Sequence, residues 1–102
     1  MAGTRTTSIC SYNFWRDSVL AGGGGYVDNG PYAFVDQVNA TPFLSGAMHF
    51  VNDGATDLFW SFDGVNDMGR VAAGQQLPQL LRRERRIWFR GAAGLAYRFW
   101  AY

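Results

Sequence analysis

The chain has 102 residues, of which 48% are apolar, 17% aromatic and 17% charged. That length admits one domain with a modest core, and the composition excludes a chain disordered throughout. The formal net charge of +1 is a balance of opposites: residues 1–68 hold two Arg against seven Asp, net −5, and residues 69–102 hold seven Arg against one Glu, net +6.

Such a split predicts head-to-tail contact between copies, a basic face for a polyanion, or pairing of the two parts within one fold. Every basic residue is Arg, the cation that stacks on rings and makes forked bonds to carboxylates inside interfaces. Cys10 is the only cysteine, so neither an intrachain disulfide nor a cysteine-based metal cluster can form within one chain. The stretch MAGTRTTSICSYNFWRD lacks the apolar run of a secretory signal, and no segment approaches the length of a membrane span. Synthesis in a cytoplasm and no membrane partner are the expectations.

In chain order, residues 1–43 show weak periodicity, broken by AGGGGYVDNGPY and by Pro42. NFWRDSVLA predicts a short helix capped by Asn13, and YAFVDQV, Tyr32 to Val38, a short strand. Four consecutive glycines at 22–25 predict a flexible joint. They lack the following helix and the Lys-Ser/Thr or spaced-glycine pattern that phosphate binding needs. Residues 1–43 are therefore expected to form an extended, partly irregular arm ordered by a neighbour, with Phe14 and Trp15 as its contact rings.

From Leu44 the pattern changes to apolar runs of four to eight residues separated by Asp, Asn and Gly: GAMHFVN, DLFWSF, MGRVAAG, QQLPQLL, IWFRG and LAYRFWAY. This is hairpin grammar, and it predicts an all-β domain over 44–102, an antiparallel β-sandwich or meander of five or six strands. Pro78 belongs at an edge or a bulge because it has no amide hydrogen for a ladder.

Strand alternation assigns the faces. Leu58, Trp60 and Phe62, then Ile87 and Phe89, then Leu95, Tyr97, Phe99 and Ala101 form the expected core. The opposite face holds Phe59, Trp88, Arg90, Arg98, Trp100 and Tyr102, where a solvated face would carry Thr, Lys, Glu and Ser. Rings and Arg are enriched at protein interfaces and their hot spots. These six, with Phe14 and Trp15, are the expected interface residues, unless a second sheet or the arm of the same chain covers them.

Little catalytic chemistry is in view. His49, the only histidine, is flanked by Met48 and Phe50 in an expected strand, and no serine or cysteine has the surroundings of a nucleophile. No catalytic residue, cofactor or metal site is assigned. Asp53, Asp57, Asp63 and Asp67 sit at turns that offer oxygens to calcium, but their spacing departs from an EF-hand and Asp-Gly turns form without metal. Arg82, Arg83, Arg85 and Arg86 make a basic patch interrupted by Glu84. A solvated turn or a salt-bridged contact to an acidic neighbour is favoured there over nucleic acid. Exposed rings on a small sandwich also match the platforms on which carbohydrate-binding modules stack sugars.

HFVNDGATDLFWSFDG, GRVAAGQQLPQLLRRERRIWFRG and GLAYRFWAY together resemble small β-sandwich structural proteins of tailed bacteriophages. The likeness runs from about Ala47 to Tyr102 and is shared by decoration, neck and tail components. It implies a non-enzymatic virion protein, made in the host bacterial cytoplasm and working as an oligomer on capsid or tail subunits. The expectation is a capsid decoration or cement protein that binds itself, as a trimer for example, and the major capsid protein or another virion subunit. The alternatives are a neck or tail component, as adaptor or tube-associated protein, and a carbohydrate-binding module.

Overall fold

The computed structural model describes residues 14–102. Cys10 and Asn13, the expected helix cap, lie outside the described residues. Eight strands follow in chain order: β1 (Phe14–Val19), β2 (Tyr32–Ala33), β3 (Met48–Asn52), β4 (Leu58–Ser61), β5 (Gly69–Val71), β6 (Gln76–Leu80), β7 (Arg86–Arg90) and β8 (Ala96–Ala101). Their pairing is antiparallel throughout, in two four-stranded sheets. Sheet one runs β1-β8-β3-β6 and sheet two β2-β7-β4-β5.

The order has a simple origin. β1 pairs with β8, β2 with β7, β3 with β6 and β4 with β5. The chain is one long hairpin whose tip is the turn between β4 and β5, rolled up so that successive pairs fall in opposite sheets. The added pairs β3 with β8 and β4 with β7 fuse these ribbons into sheets. This is the jelly-roll form of the antiparallel sandwich.

The all-β sandwich expected from the sequence is therefore present, but it begins before Leu44. β1 and β2 come from the segment expected as an arm and are members of the two sheets. The helix expected over NFWRDSVLA is instead the edge strand β1. The strand expected over Tyr32 to Val38 shortens to β2 and a single bridge, Val35 to Pro42, because Asp36 turns the chain by accepting from the Val38 amide at 2.8 Å. Nor is the path a meander: only the β4–β5 turn joins adjacent strands of one sheet. An Asp-Gly turn reverses the chain locally without choosing which sheet receives the next strand.

The core interleaves rings from both sheets. Phe89 of sheet two lies 4.7 Å from both Tyr97 and Phe99 of sheet one, centroid to centroid, and meets Phe50 edge-on at 5.7 Å. Trp60 packs 4.8 Å from Phe50. Burying a Phe-sized side chain contributes roughly 1.5–3 kcal/mol, so this stack dominates the favourable side of folding. Leu77 and Leu80 both reach the core although three residues apart, which strict alternation forbids. A register shift opposite Met48 and Phe50 reconciles them, and Pro78 sits there on the edge strand β6, as expected.

Four polar residues are buried among the described residues, Asn29, Ser45, Asn52 and Ser61, and each clamps a loop. Asn52 donates to the Thr56 and Val71 carbonyls and accepts from the Gly54 amide, holding 53–57. Ser61 Oγ accepts from the Asp63 and Gly64 amides. Asn29 accepts from the Ala21 amide and donates to the Gly25 carbonyl, so the glycine run is a built turn. Gly22 and Gly24 have φ of +59° and +79°, and a Cβ at Gly24 would meet the Gly91 carbonyl oxygen at 2.0 Å. Ser45 holds the connection between β6 and β7.

Candidate interaction faces

The expected core faces of β4, β7 and β8 are buried, with Phe62 the one half-exposed member. Phe14 is not an interface ring. It is 5% exposed and packs 5.7 Å from both Phe34 and Phe99, because alternation turns it inward and Trp15 outward. The other seven expected residues do not form one surface. Phe59, Trp88 and Arg90 lie outside sheet two, while Trp15, Arg98, Trp100 and Tyr102 belong to the other sheet and its end.

The outer face of sheet two is covered by its own chain. Tyr26, in a single 3-10 turn at Tyr26–Asp28, is buried and donates its hydroxyl to Asp67 in the turn between β4 and β5. Arg90 grips Asp67 with two bonds, Nε at 2.8 Å and a terminal nitrogen at 2.6 Å. The same guanidinium lies 4.1 Å from the Phe59 centroid and 5.8 Å from that of Tyr26. Burial, then the bond to Asp67, push the Tyr26 phenol far above its usual range. Bonds from Arg90 and Tyr26 hold the Asp67 carboxyl down at about 2. Trp88 is clamped between two loops: a Cβ added at Gly30 would meet its ring at 2.7 Å, and one at Gly64 at 2.9 Å.

The outer face of sheet one carries exposed Trp15 and Val19 and half-buried Trp100 and His49. In register across it stand Trp15, Trp100 and His49, and below them Asp17, Arg98 and Val51. The His49 ring stacks 4.2 Å from Trp100, and its Nε2 lies 2.9 Å from Gln76 Oε1. Trp15 is 37% exposed, Tyr102 39% and Val19 54%. Arg98 makes a fork to Asp53 at 2.7 and 2.9 Å, bracing the polar end of the row. At the edge, the Gln37 side chain accepts from the Trp15 amide at 2.9 Å and donates to its carbonyl at 3.0 Å, standing in for a missing strand. Strand alternation made the outward direction of His49 readable, whereas its register opposite Trp100 is set by long-range pairing. Gln37 and Tyr26 carry no local signal of their roles.

The charge split is answered largely within the fold. Asp53 pairs with Arg98, Asp57 with Arg70 at 2.6 Å, and Asp67 with Arg90. Asp63 accepts from its own turn, the Val65 and Asn66 amides both at 2.8 Å, and these bonds hold its carboxyl far below the usual range. The acidic turns are thus engaged by their own chain instead of standing ready for a neighbour. Among the described residues no three His, Cys, Asp or Glu side chains converge as metal ligands. The patch Arg82, Arg83, Arg85 and Arg86 falls on the connection between sheets and at the start of β7, where Arg86 lies 5.5 Å from the Trp88 ring of sheet two. Among the described residues, no helix is long and apolar enough to cross a membrane.

No family model, no curated protein and no solved structure matches the chain.

Proposed function

We propose that the chain is a non-enzymatic structural protein of a phage particle, a capsid decoration or cement protein that stabilises the shell through oligomeric contacts. One observation carries this reading: the outer face of sheet one sets exposed Trp15 and Tyr102 beside half-buried Trp100 and His49, whereas loops of the same chain pack on the rings of the other sheet. Large rings beside a braced Arg are what a buried interface uses, because they cover much apolar area at low entropy cost. Jelly rolls are also a recurrent architecture of viral shells. The partner surfaces are a second copy and the major capsid protein or another virion subunit.

The test is the copy number of the protein in purified particles together with its mass free in solution. Many copies spread over the shell, lost on Trp100→Ala without loss of folding, are the expected result. A single ring of copies assigns the chain to neck or tail instead. A Trp100→Ala protein that loads the particle normally removes the face from the reading. A second reading rests on the solvent-facing Trp15 ring, a surface on which a sugar can stack, in a fold that lectins also use. It predicts that glycans quench the fluorescence of the isolated protein and that Trp15→Ala abolishes the quenching.

A further inference from the structure

We infer that the cleft at the β6–β7 connection docks an acidic segment of a partner protein, a role independent of the outer face of sheet one. The backbone of this connection is fixed from the core. Ser45, 1% exposed, donates its hydroxyl to the Arg82 carbonyl at 2.6 Å and accepts from the Glu84 amide at 2.9 Å. The Ser45 amide donates to the Glu84 carbonyl and the Phe34 amide to the Arg85 carbonyl, each at 2.9 Å. The guanidinium groups are therefore presented from a preorganised loop, which lowers the ordering cost of binding.

Ion pairing divides the arginines. Arg70, Arg90 and Arg98 each hold an Asp, and Arg82 holds Glu84 at 2.6 Å while lying 4.8 Å from the Phe62 centroid. Arg83, Arg85 and Arg86 meet no carboxylate within ion-pair distance among the described residues, and Arg86 only flanks Trp88 at 5.5 Å. These three line a cleft of about 420 Å³ with Glu84, Leu44 and Phe62. Asp53, Asp57 and Asp67 already carry Arg partners, and residues 1–13 contain no Asp or Glu.

Carboxylates on a polypeptide fit this cleft better than a phosphate backbone. Guanidinium forks match carboxylates two bonds at a time. Leu44 and Phe62 give an apolar floor for aliphatic side chains between the acids, which a phosphodiester chain would leave uncovered. Glu84 within the cluster and Asp63 beside Phe62 interrupt the longer basic track that nucleic acid binding requires.

The experiment uses the full chain and a fluorescein-labelled peptide of alternating Glu and Leu, followed by fluorescence anisotropy at about 150 mM salt, where charges beyond roughly 8 Å are screened. The expected result is saturable binding that weakens about tenfold or more in Arg83→Glu/Arg85→Glu. Oligothymidylate of equal charge should displace the peptide less well than unlabelled peptide does. No saturable binding, unchanged affinity in the double variant, or better displacement by oligothymidylate overturns the inference. Arg83 and Arg85 are exposed, so the variant should keep the parental thermal midpoint, and the single Arg83→Gln supplies the same comparison if it does not. Trp100→Ala should bind the peptide as the parent does, which separates this site from the shell-binding face.

Discussion

Trp88 and Trp100 are both outward-facing, half-buried indoles on inner strands of their sheets, each with an arginine two residues before it. One is locked beneath the loops carrying Gly30 and Gly64; the other is stacked on His49 beside an exposed Trp15. The alternation of a strand states which side chains point away from the core and cannot state whether something else lies on top of them. What decides is the loop. At Gly64, φ is +79° and an added Cβ would strike the indole, so only glycine brings that backbone so close.

The contrast can be broken most sharply by truncating the covered ring. Trp88→Ala removes a half-buried indole from between two loops and should cost about 2–3 kcal/mol in denaturant unfolding. A loss as small as that of an exposed residue would mean that the loops do not seal the face. Tyr26→Phe removes the hydroxyl that joins the covering segment to Asp67 and should cost about 1–2 kcal/mol.

The same cover has a pH signature. Tyr26 and Tyr97 have phenols raised by burial, so the unfolded chain releases those protons first, near pH of about 10. Their contribution is complete below that pH and declines above it, and Tyr26→Phe should flatten the decline. Asp67 works in the opposite direction. With its carboxyl held at about 2 against an ordinary 3.8, its contribution is present above pH of about 4 and fades as pH falls toward 2, a limb that Asp67→Asn should remove.

Smallest of all should be the effect of Trp15→Ala on stability, under about 1 kcal/mol, since that indole is 37% exposed on an edge strand. The paired measurement is acrylamide quenching of the isolated protein. Trp15, 37% exposed, should account for most of the accessible fluorescence, half-buried Trp88 and Trp100 for less, and Trp60, 6% exposed, for little. Equal protection of all four indoles would erase the distinction between the faces.

Much of β7 and β8 was legible because a single period of two runs through Ile87 and Phe89 and through Leu95, Tyr97, Phe99 and Ala101. β1 was not. Its inward positions after Phe14 are Arg16 and Ser18 instead of apolar residues. Arg16 lies 4.9 Å from the Tyr32 centroid, and Ser18 stands opposite Tyr97 in the ladder. An edge strand that closes a sheet with polar atoms has no hydrophobic alternation to read. Leu77 and Leu80 misled in a different way, since their spacing belongs to a helix until a bulge is allowed between them. The division of the rings between two opposite faces depends on strand order, which only the pairing of residues far apart in the chain determines.

Because Phe14 stands opposite Ala101 in the ladder, polypeptide joined ahead of one and polypeptide joined behind the other depart from the same corner. A short linker from Tyr102 to Phe14 would let residues 14–102 be reopened in the exposed 72–75 turn as a circular permutant that retains these eight strands.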